Sequence, residues 1–188
     1  MKLEEVSPNT LKGSFSSDLV IRKVWVVEKL LKISDHFNTI YVLGSWYGNM
    51  GFVINKTKAI TFDKLINVDK DREVILSSKE IYKKSNIKNS EFLKMDVNNL
   101  KYQNAQNPNL VINTSVNNIE GTQWFENIPP KSVVVLQGRT DDLGAVNKYS
   151  NMKDFKNSFP LSKILYAGTI NLSATEADYD SYMIIGIK

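Results

Sequence analysis

Three observations predict an α/β chain built on a mostly parallel sheet. Short β-branched runs alternate along the sequence with amphipathic stretches of helical period. One of the runs, Ser132-Val133-Val134-Val135-Leu136-Gln137, is continuously apolar, as a strand covered on both faces must be. The first run, Thr39-Ile40-Tyr41-Val42-Leu43, passes directly into a glycine-bearing turn, Gly44-Ser45-Trp46-Tyr47-Gly48-Asn49. A strand, a glycine turn and a helix in that order make the opening of a βαβ nucleotide site.

The elements follow in chain order. Residues 1–17 read as a polar arm punctuated by Pro8 and Gly13. Ser17 or Asp18 can cap a helix over Leu19–Lys32, whose Leu19, Val20, Val24, Val27, Leu30 and Leu31 recur at helical spacing. His36 falls in its exit loop as a surface histidine with no role. After the strand and turn, Met50–Lys56 is a short helix, and Lys64–Asp69 is a second strand with a carboxylate at its carboxyl end. Asp71–Ser85 reads as a helix, and Glu91–Asp96 as a third strand that again ends in an aspartate. Asn98–Asn109 is an Asn-rich surface loop with room for one helical turn. Leu110–Asn113 is a fourth strand, Thr122–Asn127 a short helix before Pro129-Pro130, and Ser132–Gln137 the fifth strand. Asn151–Phe159 is a last helix, and Ile164–Asn171 with Tyr182–Ile187 form a closing antiparallel pair. No repeat and no low-complexity linker divides the chain, so one domain over 1–188 is expected.

Composition narrows the chemistry. With 188 residues and 42% hydrophobic content the chain can bury a substantial core. The absence of cysteine excludes disulfides and thiolate metal sites, and a single histidine leaves little for a histidine-built zinc centre or a catalytic triad, so no metal is expected. No apolar run approaches the ~18–20 residues of a membrane span, and the first residues do not form a signal peptide, which makes cytoplasm the expected location and a membrane partner unexpected. A net charge of +4, spread over many lysines, permits nucleic acid without requiring it.

The turn and the second strand define the candidate site. Gly44 and Gly48 allow a sharp bend and close approach of backbone to a ligand. Asp69, about 25 residues after Gly44, falls where a βαβ unit places the acid that accepts from two ribose hydroxyls. The turn lacks the G-x-G-x-x-G spacing and carries two bulky aromatics where a pyrophosphate needs bare backbone, which disfavours NAD and FAD. Trp46 and Tyr47 either cover the ligand or pack on the sheet. Trp25 and Trp124 are read as packing residues, and Arg22, Lys23 and Arg139 as cations that are either solvated or able to receive an anionic substrate.

Taken together, strand, Gly44-Ser45-Trp46-Tyr47-Gly48, a strand ending in Asp69, one ending in Asp96, one ending in Asn113 and a terminal hairpin resemble a class I S-adenosylmethionine-dependent methyltransferase. The resemblance runs as a pattern of elements from Tyr41 to the C-terminus. More closely, Val42–Asn49, Ile112–Ser115, Val133–Gln137 and Met183–Gly186 are similar to small methyltransferase-like proteins of marine bacteriophages, and the Asn- and Lys-rich composition suits an AT-rich genome of that kind. The resemblance implies a Rossmann-like three-layer sandwich with a mostly parallel seven-stranded sheet and an antiparallel C-terminal hairpin, and S-adenosyl-L-methionine as cofactor. It implies that Gly44, Ser45, Trp46, Tyr47 and Gly48 pass under the methionine part and the adenosine, that Asp69 with neighbouring Lys70 meets the ribose, and that Asp96 with the Met95 or Val97 amide meets the adenine. It further implies that Asn113 and Thr114 face the transferable methyl, Asn113 being the candidate catalytic residue.

Two departures bear on the acceptor, which stays unidentified. In the phage group an acidic and a histidine residue often follow the Asn-Thr-Ser step, whereas this chain has Val116-Asn117-Asn118. The Asn-Pro-Pro-aromatic step of amino-group methylating families is absent at Asn113, so a DNA adenine methyltransferase is not expected. Asn117, Glu120 and Asp141 are the remaining polar candidates near the site. A cofactor-binding or host-interaction protein that has lost transfer, and an aminopropyl or aminocarboxypropyl transferase on the same scaffold, remain as alternatives.

Overall fold

The computed structural model describes residues 13–103, 109–140, 144–173 and 179–188. Internal contacts divide the chain into two compact units, residues 1–96 and 97–188. The first holds α1 (Ser17–Leu30), β1 (His36–Leu43), α2 (Asn49–Thr57), β2 (Thr61–Asp69), α3 (Arg72–Lys84) and β3 (Ser90–Lys94). The second holds β4 (Leu110–Asn113), α4 (Gln123–Glu126), β5 (Val133–Arg139), α5 (Met152–Asn157), β6 (Lys163–Asn171) and β7 (Asp180–Ile187), with single 3-10 turns at Val97–Asn99 and Val116–Asn118. The strands follow the order β3-β2-β1-β4-β5-β7-β6 in a seven-stranded sheet. β1, β2 and β3 pair in parallel, as do β4 and β5, while β7 runs antiparallel to both β5 and β6. The expected Rossmann-like α/β sheet with its antiparallel closing hairpin is therefore present.

In the first unit the carboxyl halves of β1 and β2, Ile40–Leu43 and Leu65–Val68, are wholly buried. Both strands begin three residues earlier than the apolar runs suggest. His36 and Phe37 pair with Thr61 and Phe62, because the ladder needs only backbone groups and continues past the point where side chains turn polar. His36 is thus the first residue of β1, exposed, with Nδ1 2.9 Å from Thr61 Oγ1 and Nε2 3.9 Å from Asp63. β3 departs from expectation at its other end. It stops at Lys94, and although Met95 N–H still donates to Asp69 O, the chain then turns into the 3-10 segment, which leaves Asp96 exposed two residues beyond the strand.

The buried face of α1 is not the one its spacing indicates. Arg22, Lys23, Trp25, Val26, Val27 and Leu30 face inward, while Ile21, Val24 and the C-cap Leu31 are exposed. Apolar residues stand on every side of this helix, so period alone does not select a stripe, and packing of Trp25 and Val26 decides it. Two cations enter the interior as a result. Burial, reinforced by the Arg22 charge and opposed by Asp18, pushes the Lys23 pKa down to about 7.

In the second unit β4 is buried along its length and β5 is buried in all but its end residues, as expected for a strand covered on both faces. Beside them Trp124, Phe125, Tyr149, Phe155 and Phe159 form a chain of tilted and edge-to-face ring contacts. Trp25 and Trp124 both lie in the interior, as the packing reading requires.

Candidate functional site

The first unit brings the glycine turn and Asp69 together. Beyond Leu43 the backbone enters the left-handed region three times in five residues, at Gly44 (φ 58°), Trp46 (φ 48°) and Gly48 (φ 72°). Glycine takes these angles freely, whereas for a tryptophan they are unfavourable and need outside support. The support is visible at both ends of the residue. Trp46 N–H donates to Asp69 Oδ2 at 2.9 Å, and Trp46 O accepts from the Ser78 hydroxyl at 2.9 Å. The turn is also tied to β2 by Ser45 N–H donating to Val68 O at 3.0 Å, and closed on itself by Gly48 N–H donating to Ser45 O at 2.9 Å.

Asp69 is held as firmly as the loop it meets. Its Oδ1 accepts from Asp71 N–H at 3.1 Å, and Asp71 in turn caps α3 by accepting from Glu73 and Val74 N–H. An ionised carboxylate offers about four acceptor positions. With one backbone donor on each oxygen, Asp69 keeps a further lone pair per oxygen for hydroxyl donors. Lys70 is exposed beside it.

The remaining loop residues divide between packing and open chemistry. Tyr47 is buried against Val74, with Trp46 and Ile81 packed on the same small cluster and the two aromatic rings 5.5 Å apart. This commits the Tyr47 ring to the α3 contact and leaves Trp46 half-buried at the outside. Ser45 Oγ is buried and makes no hydrogen bond among the described residues. Three further residues, not singled out from sequence, complete this region. Tyr82 on α3 donates its hydroxyl to Gly48 O at 2.7 Å, with Asn67 Oδ1 at 3.3 Å, and its ring lies over both Gly48 and Gly51. Gly51 was the available hint, since glycine inside a helix often marks close approach.

In the second unit Asn113 closes β4, fully buried, with Oδ1 accepting from Ser115 N–H at 2.9 Å and Nδ2 making no hydrogen bond among the described residues. Thr114 is half-buried, and Val97 is buried at the start of its 3-10 turn. Asn117 is committed elsewhere. Its Nδ2 donates to Arg139 O and Asn147 O, and its Oδ1 accepts from Arg139 N–H, so it clamps the end of β5 and is no candidate for proton transfer. Asn117→Ala should accordingly lower folding stability by roughly 2–3 kcal/mol, because buried backbone groups lose their partners. Urea unfolding reads this, and an unchanged midpoint would show the clamp to be dispensable. Glu120 is exposed, and Asp141 lies outside the described residues. Among the described residues no cluster of three or more His, Asp or Glu could hold a metal, and no helix is long and apolar enough to cross a membrane.

No family model and no curated protein matches the sequence. Solved structures share the fold. The N-methyltransferase NodS from Bradyrhizobium japonicum WM9, in complex with S-adenosyl-L-homocysteine, superposes with a TM-score of 0.70 over 99% of this chain and 96% of its own, at 12% identity. A SAM-dependent methyltransferase from Aquifex aeolicus gives 0.66 over 97% and 99%, at 14% identity. The [4+2]-cyclase SpnF gives 0.69 over 90% and 80%, at 9% identity. At such identities the likeness is one of fold, and the presence of a cyclase in the group shows that this fold hosts more than one chemistry.

Proposed function

We propose that the chain is an S-adenosyl-L-methionine-dependent methyltransferase acting on an acceptor still to be identified. The observation that carries this reading is the 2.9 Å bond between Trp46 N–H and Asp69 Oδ2, which joins the glycine turn after β1 to the carboxylate at the end of β2. Those are the two features a nucleoside requires of a βαβ unit. The shared fold supports it further, as do the buried Ser45 Oγ and Asn113 Nδ2, which make no hydrogen bond among the described residues. In this reading Gly44–Gly48 pass beneath the cofactor and Asp69, with Lys70 nearby, accepts from the ribose hydroxyls. Asp96 and the Val97 N–H meet the adenine, and Asn113 with Thr114 lines the position of the methyl. The bound cofactor supplies an already activated methyl on a positive sulfur, so the protein's task is to align the acceptor and exclude water, which can lower a barrier by several kcal/mol, up to about 7–11.

Location in a cytoplasm and closeness to small phage-encoded methyltransferase-like proteins belong to the same reading and rest on the residue runs quoted above. Nucleic acid is one possible acceptor class, supported only by the net charge of +4.

Titration calorimetry with S-adenosylmethionine and S-adenosylhomocysteine tests the cofactor. Wild-type protein is expected to bind both, Asp69→Ala to lose detectable binding, and Asp69→Asn, which keeps one carbonyl acceptor, to bind at least tenfold more weakly. A wild-type protein that ignores both ligands and takes NAD instead would overturn the assignment. Product analysis then decides the reaction, since S-adenosylhomocysteine marks methyl transfer and methylthioadenosine marks aminopropyl or aminocarboxypropyl transfer. Binding without turnover would mark a protein that keeps the pocket alone.

A further inference from the structure

Resting on the cofactor site just proposed, we infer that the Tyr82 hydroxyl, with the Ser78 hydroxyl beside it, is a positioning device that holds the loop in its ligand-receiving shape. Ser78 and Tyr82 lie one turn apart on one face of α3 and reach the loop from the same side. The first shares its single proton between Trp46 O and Val74 O, each at 2.9 Å, the second donates to Gly48 O at 2.7 Å, and Asp69 accepts from Trp46 N–H. Three side chains thus restrain three backbone groups within three residues.

Packing alone does not account for the tyrosine. Its ring stands edge-on to Phe92 with centroids 4.9 Å apart and covers Gly48, contacts that a phenylalanine would make equally well. What phenylalanine lacks is the buried hydroxyl. Burial raises the Tyr82 pKa well above its usual value, so the group is a protonated donor at every working pH. The carbonyl it serves belongs to Gly48 (φ 72°), and the Ser78 carbonyl partner belongs to Trp46 (φ 48°), the two left-handed residues flanking Tyr47. A loop fixed before the ligand arrives escapes the ordering cost of binding. Neither hydroxyl needs to touch the cofactor to set its affinity.

The test compares affinity with stability. Tyr82→Phe and Ser78→Ala are examined by calorimetry with S-adenosylhomocysteine and by thermal unfolding, alongside Ile54→Val, a fully buried position on α2 beyond the loop in sequence. Tyr82→Phe is expected to raise Kd at least tenfold, Ser78→Ala about threefold, and Ile54→Val not at all, although all three lower the melting temperature. Acrylamide quenching without ligand gives a second reading. Of the three tryptophans Trp25 and Trp124 are buried and Trp46 is not, so quenching reports the loop and should increase in Tyr82→Phe. Wild-type binding with a Tyr82→Phe Kd within twofold of it, or an equal weakening by Ile54→Val, overturns this inference alone. A wild type that binds neither form of the cofactor overturns the cofactor reading and this inference with it.

Discussion

Gly51→Ala is expected to destabilise the fold by about 1–3 kcal/mol, read as a lowered urea midpoint at unchanged slope. Helix propensity predicts the opposite sign, since alanine in a helix interior is favoured over glycine by about 1 kcal/mol. The difference lies in what surrounds the position. A Cβ there would stand 2.5 Å from Leu65 Cδ2 and would overlap the Tyr82 hydroxyl. Neither neighbour can yield, because Leu65 is fully buried in β2 and the Tyr82 hydroxyl is bonded to Gly48 O. Gly51→Ala combined with Tyr82→Phe should be less destabilised than the sum of the single changes, because the phenylalanine vacates part of the overlap. Gly48→Ala adds backbone strain to a similar contact, with φ 72° and Tyr82 Cε2 at 2.7 Å, and is expected to match or exceed the loss at Gly51. A Gly51→Ala protein at least as stable as wild type would sink this account of how α3 lies on α2.

Lys23→Met is expected to stabilise the protein, and by an amount that depends on pH. The lysine is buried in α1, and its pKa falls from 10.5 unfolded to about 7 folded, chiefly through desolvation, next through the Arg22 charge, with Asp18 opposing. A base whose folded pKa is depressed binds fewer protons folded than unfolded between those two values, so wild-type stability rises with pH across the window from about 7 to 10.5. Below the folded pKa the charged ammonium carries the full penalty, about 4–5 kcal/mol at about 1.4 kcal/mol per unit. Above the unfolded pKa the penalty is gone. Methionine has similar length and no charge, so its advantage should approach that figure at pH 6 and shrink toward zero by pH 10.5. Chemical denaturation of both proteins at pH 6, 8 and 10 measures it, and a difference that stays flat with pH would show that the ammonium reaches water in the folded state.

The two halves of the candidate site were legible in the sequence to different degrees. The bend at Gly44–Gly48 and the carboxylate of Asp69 could be placed because strand, turn and strand follow one another closely, and parallel pairing of adjacent runs fixes where their carboxyl ends lie. The same reasoning put Asp96 at a strand end, and β3 stops two residues short of it, since ladder length depends on a partner strand and not on the apolar run itself. Tyr47 could be read equally as a ligand cover or a packing group, and only its contact with Val74, 27 positions along, shows it packed. Asn117 looked like a polar group near the site, yet its amide is committed to Arg139 and Asn147.

The order of side chains along the chain, by itself, determined the alternation of elements, the seven strands and the placing of a sharp turn after the first strand and a carboxylate at the end of the second, because hydrophobic period and turn chemistry act over a few residues. The tertiary structure alone decided which face of α1 turns inward, carrying Arg22 and Lys23 into the interior, and that Ser78 and Tyr82 hold a loop more than 30 positions away. Burial and hydrogen bonding between distant segments leave no periodic trace in either segment, so they exist only once the chain has folded.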